Sequence, residues 1–395
     1  MVQVVVGAGG TGGHIFPGIA LARAIQEAEP SARVDFVGTE RGLEKTLIPE
    51  AGFPLHMIDV LPLQRKIGVE PLLAGPALVR ATWQARRLLR SLDAGVAVGM
   101  GGYPSLPVIV AAATMGLPSL LHESGAVAGL ANKIAGRLTR NIALSFDEAA
   151  RGFARPTRTT GMPLSPAMAH MDRSALRSEA RAAYGLTDDR VAVLVMGGSL
   201  GALSLNELAL GLAVRWKARA DVRIILKAGR GHLDAAQKKL AELGAEHVVD
   251  AMEFLDRMEL AYAAADVAIT RAGAGTVAEL PAAGLPAVLI PYPHAPGDHQ
   301  TLNAQPLVAA GAAYVVADRE ATPDRIGPLL EELIDDRARL AAMGAKAKAL
   351  AKPEAAAELA AWVLELARRS VASASGHERR PVGWASGHAR KRKKR

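Results

Sequence analysis

The chain has 395 residues, half of them apolar, with 47 Lys+Arg against 39 Asp+Glu and no cysteine. That length implies two cores rather than one, and the missing cysteines exclude disulfides, Cys-based zinc sites, iron–sulfur ligation and thiol catalysis. Of the net charge of +8, +7 falls in Gly376–Arg395, which holds eight basic residues and one acidic, so the body of the chain is nearly neutral and nucleic acid is not an expected partner.

In chain order, Val2–Val6 is an apolar, β-rich run, followed by GAGGTGGH (Gly7–His14) and a helical stretch, Pro17–Ala28. Arg33–Val37, Gly95–Gly99 and Ser119–His122 read as further buried strands. Short continuous apolar runs that alternate with helices indicate parallel sheets covered on both faces. Pro156, Pro163 and Pro166 mark a linker within Arg155–Arg173. The series restarts at Arg190–Met196, followed by GGSLGA (Gly197–Ala202), and continues through strands at Val222–Lys227, Val267–Thr270 and Ala287–Ile290. A third glycine turn, RAGAGT (Arg271–Thr276), follows Thr270, and Ala-rich helices run from about Pro323 to Ser370. The expected fold class is α/β, with two Rossmann-like doubly wound parallel-sheet domains facing across a cleft. Residues 1–163 form the first, 164–370 the second with the closing helices, and 371–395 a disordered basic tail.

No apolar run reaches the roughly 18 residues that a membrane-spanning helix needs, and Met1–Gly13 lacks the features of a signal peptide. The expectation is an intracellular soluble protein that touches a membrane without crossing it. Leu61–Leu92 bears on that contact. Ile67, Leu72, Leu73, Leu78, Val79 and Trp83 interleave there with Arg65, Lys66, Arg80, Arg86, Arg87 and Arg90. The pattern suits an interfacial surface, although spacing alone favours an ordinary amphipathic helix packed on a sheet with a solvated basic side.

A glycine turn between a strand and a helix aims main-chain N–H groups and the helix dipole at an anion. Three such turns point to phosphorylated ligands bound beyond the carboxyl ends of the strands. Gly7-x-Gly9-x-x-Gly12 also fits a dinucleotide fingerprint, but the second strand ends Val37-Gly38-Thr39 without a ribose-holding carboxylate, so a nicotinamide or flavin enzyme is not expected. There is no Asp-x-Asp pair, Walker motif or metal-spaced His/carboxylate set, so neither a metal nor another cofactor is expected. His14 reads either as a structural cap of its turn or as a general base kept neutral by the helix N-terminus. Glu123, at the end of a buried strand, is a loop carboxylate or a functional one. Glu279 stabilises its helix or holds ribose hydroxyls.

In combination and order, GGTGGHIFPGIALA, GMGGYPSLP, HE…AGLANK, GGSLGA, FLDRMELAYAAAD, TRAGAGTVAEL and HQTLNA resemble the MurG-type glycosyltransferases, over about Met1 to Ala367. Those enzymes have the GT-B fold and transfer N-acetylglucosamine from UDP-GlcNAc to a polyprenyl-diphosphate-linked muramyl peptide at the cytoplasmic membrane surface. The resemblance implies that Gly9, Gly10, Thr11, Gly12, Gly13 and His14 meet the acceptor's diphosphate and reacting sugar. Gly101, Gly102, Tyr103 and Ser105 would form a second acceptor loop, and Glu123 and Asn132 a third. Ser199 and Gly201 would serve the donor diphosphate, while Phe254 and Leu255 pack on uracil with Met258 nearby. Arg271, Ala272 and Gly273 would line the donor site, Glu279 would hold the ribose, and Gln300 and Asn303 would read the transferred sugar. His14 is the first candidate for the catalytic base and Glu123 the second.

Two positions depart from the family pattern. Gly125 stands where an Asn is usual, and Gly161-Met162-Pro163-Leu164-Ser165 replaces Gly-x-Pro-Val-Arg, which removes an arginine. Arg271 is a candidate to compensate. The departures leave three rivals to the lipid-linked acceptor: a transferase for another acceptor such as a natural-product aglycone, a same-fold UDP-sugar epimerase, and a non-catalytic homologue.

Overall fold

The structure is a computed structural model that describes residues 1–60, 70–198 and 201–377; Ser199, the Arg65–Ile67 part of the apolar–basic stretch and the tail beyond His377 lie outside the described residues. The first sheet contains β1 (Gln3–Ala8), β2 (Arg33–Gly38), β3 (Leu55–Met57), β4 (Val96–Gly101), β5 (Ser119–Glu123), β6 (Asn141–Leu144) and β7 (Arg158–Thr159), in the order β3-β2-β1-β4-β5-β6-β7. The second contains β8 (Val191–Met196), β9 (Val222–Lys227), β10 (Val249–Met252), β11 (Val267–Thr270), β12 (Ala287–Leu289) and β13 (Ala313–Val315), in the order β10-β9-β8-β11-β12-β13. All described pairings are parallel.

Burial on both faces explains the continuous apolar runs. Val4, Val6 and Ala8 enter one core layer with Ile15, Leu21 and Ile25, while Val5 enters the other with Val37, Ala97 and Val108. In the second lobe Val191, Val193 and Val195 face one layer, and Ala192, Leu194 and Met196 the other. Each buried aliphatic side chain of this size contributes about 1.5–3 kcal/mol relative to exposure.

The closing helices divide between the lobes. Pro323–Asp335 and Arg337–Lys348 supply Ile326, Leu330, Leu340 and Met343 to the second core. The last helix, Ala355–His377, instead returns to the first lobe, where Leu359, Ala360, Val363, Leu364 and Ala367 pack in the core that contains Leu21 and Ile25. The helix therefore packs with the first lobe and not, as expected, with the second domain, and it continues past the expected end at 370 to His377.

Both sheets reverse their strand order beside their first strand, between β1 and β4 and between β8 and β11. These are the places where an open parallel sheet leaves a crevice at its carboxyl edge. The two carboxyl edges meet. The loop after β5 touches the helix His299–Ala309, where the Ala126 N–H donates to Asn303 Oδ1 at 2.8 Å.

Candidate active site

At the first crevice the backbone is packed too tightly for side chains. Gly102 has φ +77°, and a Cβ there would lie 2.1 Å from the Gly9 carbonyl oxygen. Gly101 has φ +103°, and a Cβ there would lie 2.5 Å from His14 Cδ2. Only glycine permits either conformation without strain, and together they let the end of β4 lie against the His14 ring. His14 sits in the first turn of the helix Gly12–Ala28. Its Nδ1 is 3.3 Å from the Gly9 carbonyl oxygen. A carbonyl can only accept, so this contact places the proton on Nδ1 and leaves Nε2 as a base. Burial lowers the His14 pKa, opposed by the Gly9 carbonyl and by the charge of Glu44. Thr11, the exposed N-cap, makes no side-chain cap bond, and the first turn holds no acidic residue. The N–H groups of Thr11, Gly12 and Gly13 are therefore free to meet an anion.

The residue beneath this loop belongs to none of the sequence motifs. Glu44 opens the helix Glu44–Glu50 and is wholly buried. Its Oε2 accepts the Gly10 N–H at 2.8 Å, and its Oε1 accepts the Thr39 N–H at 3.0 Å and the Thr39 hydroxyl at 2.8 Å. A Cβ on Gly9 would lie 2.6 Å from Glu44 Oε1. The carboxylate thus ties the glycine loop after β1 to the end of β2. Its one signal in the sequence is a glutamate five residues beyond Thr39, in the first turn of the next helix.

The other first-lobe candidates divide. Tyr103 is exposed at the crevice. Ser105 is not: it is 1% exposed, its hydroxyl has no hydrogen-bond partner among the described residues, and it packs on Gly99 beneath the sheet edge. Glu123 is buried, and its carboxylate is fully engaged. Oε1 accepts the Gly125 N–H at 3.0 Å, and Oε2 accepts the Gly129 N–H at 3.1 Å and the Asn132 amide at 2.8 Å. Burial raises its pKa, and these donors pull it back. Glu123 and Asn132 therefore shape the loop 124–129, which makes His14 the better placed base. The Gly125 bond is made by the main chain, and a Cβ there would meet nothing closer than 3.6 Å, so the loop keeps its form without the usual Asn. Neighbouring His122 is wholly buried, between the Gly161 carbonyl and the hydroxyls of Ser124 and Ser145. Burial foremost lowers its pKa to about 4.

At the second crevice, Gly201 has φ +78°, and a Cβ there would lie 2.6 Å from the Ala228 carbonyl oxygen. This close approach leads into the helix Leu203–Arg215, which carries no side-chain cap. The helix Ala274–Ala283 is likewise uncapped behind Gly273, with no acidic residue in its first turn. Both N-termini present free main-chain N–H groups. Phe254 is 57% exposed, whereas Leu255 belongs to the core and Met258 packs against it from a half-buried position. Glu279 is half-buried and accepts the Tyr262 hydroxyl at Oε2, 2.7 Å away, leaving Oε1 open. Its pKa is raised by burial, against the pull of Tyr262 and Lys227.

On the donor side, Arg271, Ala272 and Asn303 are placed differently from what the resemblance implies. The Arg271 guanidinium turns into the lobe, to the Asp318 carboxylate at 2.5 Å, Ser204 Oγ at 2.8 Å, and the Ile290 and Pro291 carbonyls. Both terminal nitrogens are engaged within the lobe, so it does not replace the arginine missing at Ser165. Asn303 is wholly buried: its Oδ1 accepts from Ala126, and its amide donates to the Ala272 carbonyl at 3.0 Å. Asn303 and Ala272 thus join the lobes rather than face a sugar. Gln300 keeps its amide nitrogen free, while its Oε1 accepts the Tyr292 N–H at 2.9 Å.

Residues 4–144 match the family model of the glycosyltransferase family 28 N-terminal domain, and residues 192–359 that of the C-terminal domain. A protein of Nocardioides sp. is 41% identical over 366 residues, 92% of this chain and 98% of its own length. One of Saccharopolyspora erythraea is 42% identical over 368 residues, 93% of this chain and 95% of its own. Both are named UDP-N-acetylglucosamine–N-acetylmuramyl-(pentapeptide) pyrophosphoryl-undecaprenol N-acetylglucosamine transferase. The crystal structure of Acinetobacter baumannii MurG superposes with a TM-score of 0.75 at 30% identity, covering 92% of this chain and all of that one. The UDP-GlcNAc 2-epimerase of Neisseria meningitidis, at 12% identity and TM-score 0.67 over 92% of this chain and 100% of its own, shares the fold. The chain belongs to glycosyltransferase family 28, as a MurG-type glycosyltransferase.

Proposed function

We propose that the protein transfers N-acetylglucosamine from UDP-GlcNAc to the muramyl residue of undecaprenyl-diphosphate-linked MurNAc-pentapeptide, with inversion at the anomeric carbon. The observation that carries this reading is the opposition of two crevices built for anions, joined through Ala126 and Asn303, with a histidine base in one of them. The donor lies at the second lobe, with its diphosphate on the N–H groups at Gly201 and at the Gly273 helix start, its uracil on Phe254 and its ribose on Glu279 Oε1. Gln300 meets the transferred sugar through its free amide nitrogen. The acceptor diphosphate lies on Thr11, Gly12 and Gly13, with Tyr103 at the mouth. His14 Nε2 takes the proton of the attacking hydroxyl as UDP departs, and helix N-termini stabilise the leaving diphosphate.

The acceptor is reached from the membrane surface, at its cytoplasmic face. Among the described residues no helix is long and apolar enough to cross a membrane. The helix Glu70–Ser91 buries Ala81, Ala85 and Leu89 on the sheet and turns Val79, 71% exposed, and Trp83, 61% exposed, outward. Arg87 lies over the Trp83 ring at 5.9 Å, and Arg80 and Arg90 are exposed. An apolar ridge with basic neighbours favours the interfacial reading.

Transfer of radiolabel from UDP-GlcNAc to a short-chain prenyl-diphosphate muramyl peptide tests the proposal, with soluble aglycones and no acceptor as parallel arms. Labelled lipid-linked disaccharide is the expected product. Turnover confined to an aglycone, UDP-ManNAc formed without acceptor, or nucleotide binding with no turnover would each overturn it.

A further inference from the structure

Lys227 ends β9, in register with Met196 of β8 and Met252 of β10. It shares the sheet face of Ile225, which packs in the layer with Leu255 and Tyr262. The residue is 6% exposed. A lysine stem buried to this degree leaves its ammonium few directions in which to find acceptors, so that water or a bound molecule must supply them. This one makes no hydrogen bond or ion pair with any described residue. Its Nζ lies over the Phe254 ring, 4.7 Å from the centroid, and it feels the charge of Glu279 beyond direct contact. Burial pushes its pKa down. An ammonium held in this way lacks an acceptor that a bound molecule can supply.

The surroundings define that molecule. Phe254 offers a flat apolar face suited to a base, and Glu279 Oε1 offers an acceptor suited to hydroxyls. A phosphate beside Glu279 would be repelled, and the free main-chain N–H groups that suit phosphate lie at the Leu203 and Ala274 helix starts. Arg271 does not take the role, since it is bound to Asp318, and residue 165 is an exposed serine.

We propose that Lys227 is a donor-binding residue whose ammonium hydrogen-bonds a uracil or ribose oxygen of the uridine moiety. This rests on the reading that the second crevice takes a uridine nucleotide. Lys227 then completes a polar set with Glu279 on one side of the nucleoside, and the nucleoside relieves the unpaired charge. A charge-assisted bond in a desolvated pocket corresponds to about 10- to 100-fold in affinity.

The test is binding of UDP by titration calorimetry and of uridine by saturation-transfer NMR, to the full-length protein and to K227M, which keeps the aliphatic stem. The expected result is a similar loss for both ligands, about 10- to 100-fold. K227Q, which keeps a shorter donor, is expected to fall between the two proteins and serves in place of K227M if the latter does not melt cooperatively. UDP binding within twofold of wild type in a folded variant would overturn the role of Lys227 and leave the nucleotide reading intact. Loss for UDP with unchanged uridine binding would overturn it in favour of a phosphate contact. Wild-type protein that binds no UDP would instead overturn the nucleotide reading on which it rests.

Discussion

Glu44 offers the sharpest test of how the first crevice is held. Its carboxylate satisfies two main-chain N–H groups, of Gly10 and Thr39, and the Thr39 hydroxyl. Glu44→Ala leaves all three of these donors without their acceptor in a site without solvent access and opens a cavity. A buried hydrogen bond to a charged group is worth about 1.5–3 kcal/mol, and large single-site losses arise from such orphaned donors, so a net cost of about 4 kcal/mol is expected. At about 2–4 °C per kcal/mol for lobes of this size, the melting temperature should fall by about 8–16 °C. Glu44→Gln keeps the volume but turns an NH2 group toward one of the N–H donors, so it should lose a substantial part of that stability. Because the charge of Glu44 raises the His14 pKa, the neutral variant should also move the acidic limb of the kcat/KM profile to lower pH. Differential scanning fluorimetry with a pH series of turnover measures both. A Glu44→Ala protein melting within about 3 °C of wild type, or an unmoved acidic limb in Glu44→Gln, would refute the assigned role.

Other consequences can be measured separately. His14→Ala should lower kcat by about 10²- to 10⁴-fold if Nε2 is the base, and near-wild-type turnover would remove it from that role. Since burial lowers the His14 pKa from 6.5, kcat/KM of the wild type should stay level as pH falls through 6.5 and decline only below it; a limb above pH 7 would contradict this. His122 binds its proton near 6.5 when unfolded but only at about 4 when folded. Its share of stability is therefore full above pH 6.5 and lost toward pH 4, about 3 kcal/mol in all, and urea titrations of wild type and His122→Gln should show a flatter pH dependence in the variant. Asn303→Asp sets an acceptor against the Ala272 carbonyl in a buried site, so it should destabilise by about 2 kcal/mol or more, and unchanged thermal stability would argue against the clamp.

The central strands were legible because burial on both faces leaves an unbroken apolar run: β1, β2, β4, β5, β8, β9, β11 and β12 fall within a residue or two of their expected places. The short strands β3, β6, β7, β10 and β13 were not, since two to four residues are too few to carry a periodicity. The first helix starts at Gly12 rather than Pro17, because glycines read as loop, yet a helix start leaves its N–H groups unpaired in any case and tolerates them. Spacing identified which loops reach the crevices, but not which way their side chains turn. Arg271, Ser105 and Asn303 lie on the expected loops and point into protein. An apolar stripe such as Leu359–Ala367 calls for a sheet to cover but does not say which, and only the folded chain shows it crossing back.

The placement of the two substrates is tested most directly by hydrogen–deuterium exchange of the full-length protein, with UDP and with a short-chain acceptor analogue added separately. UDP should slow exchange at 201–206 and 271–277, and the acceptor analogue at 9–14 and 101–105. UDP protection at 9–14 with none at 271–277 would contradict the assignment of donor and acceptor to opposite lobes.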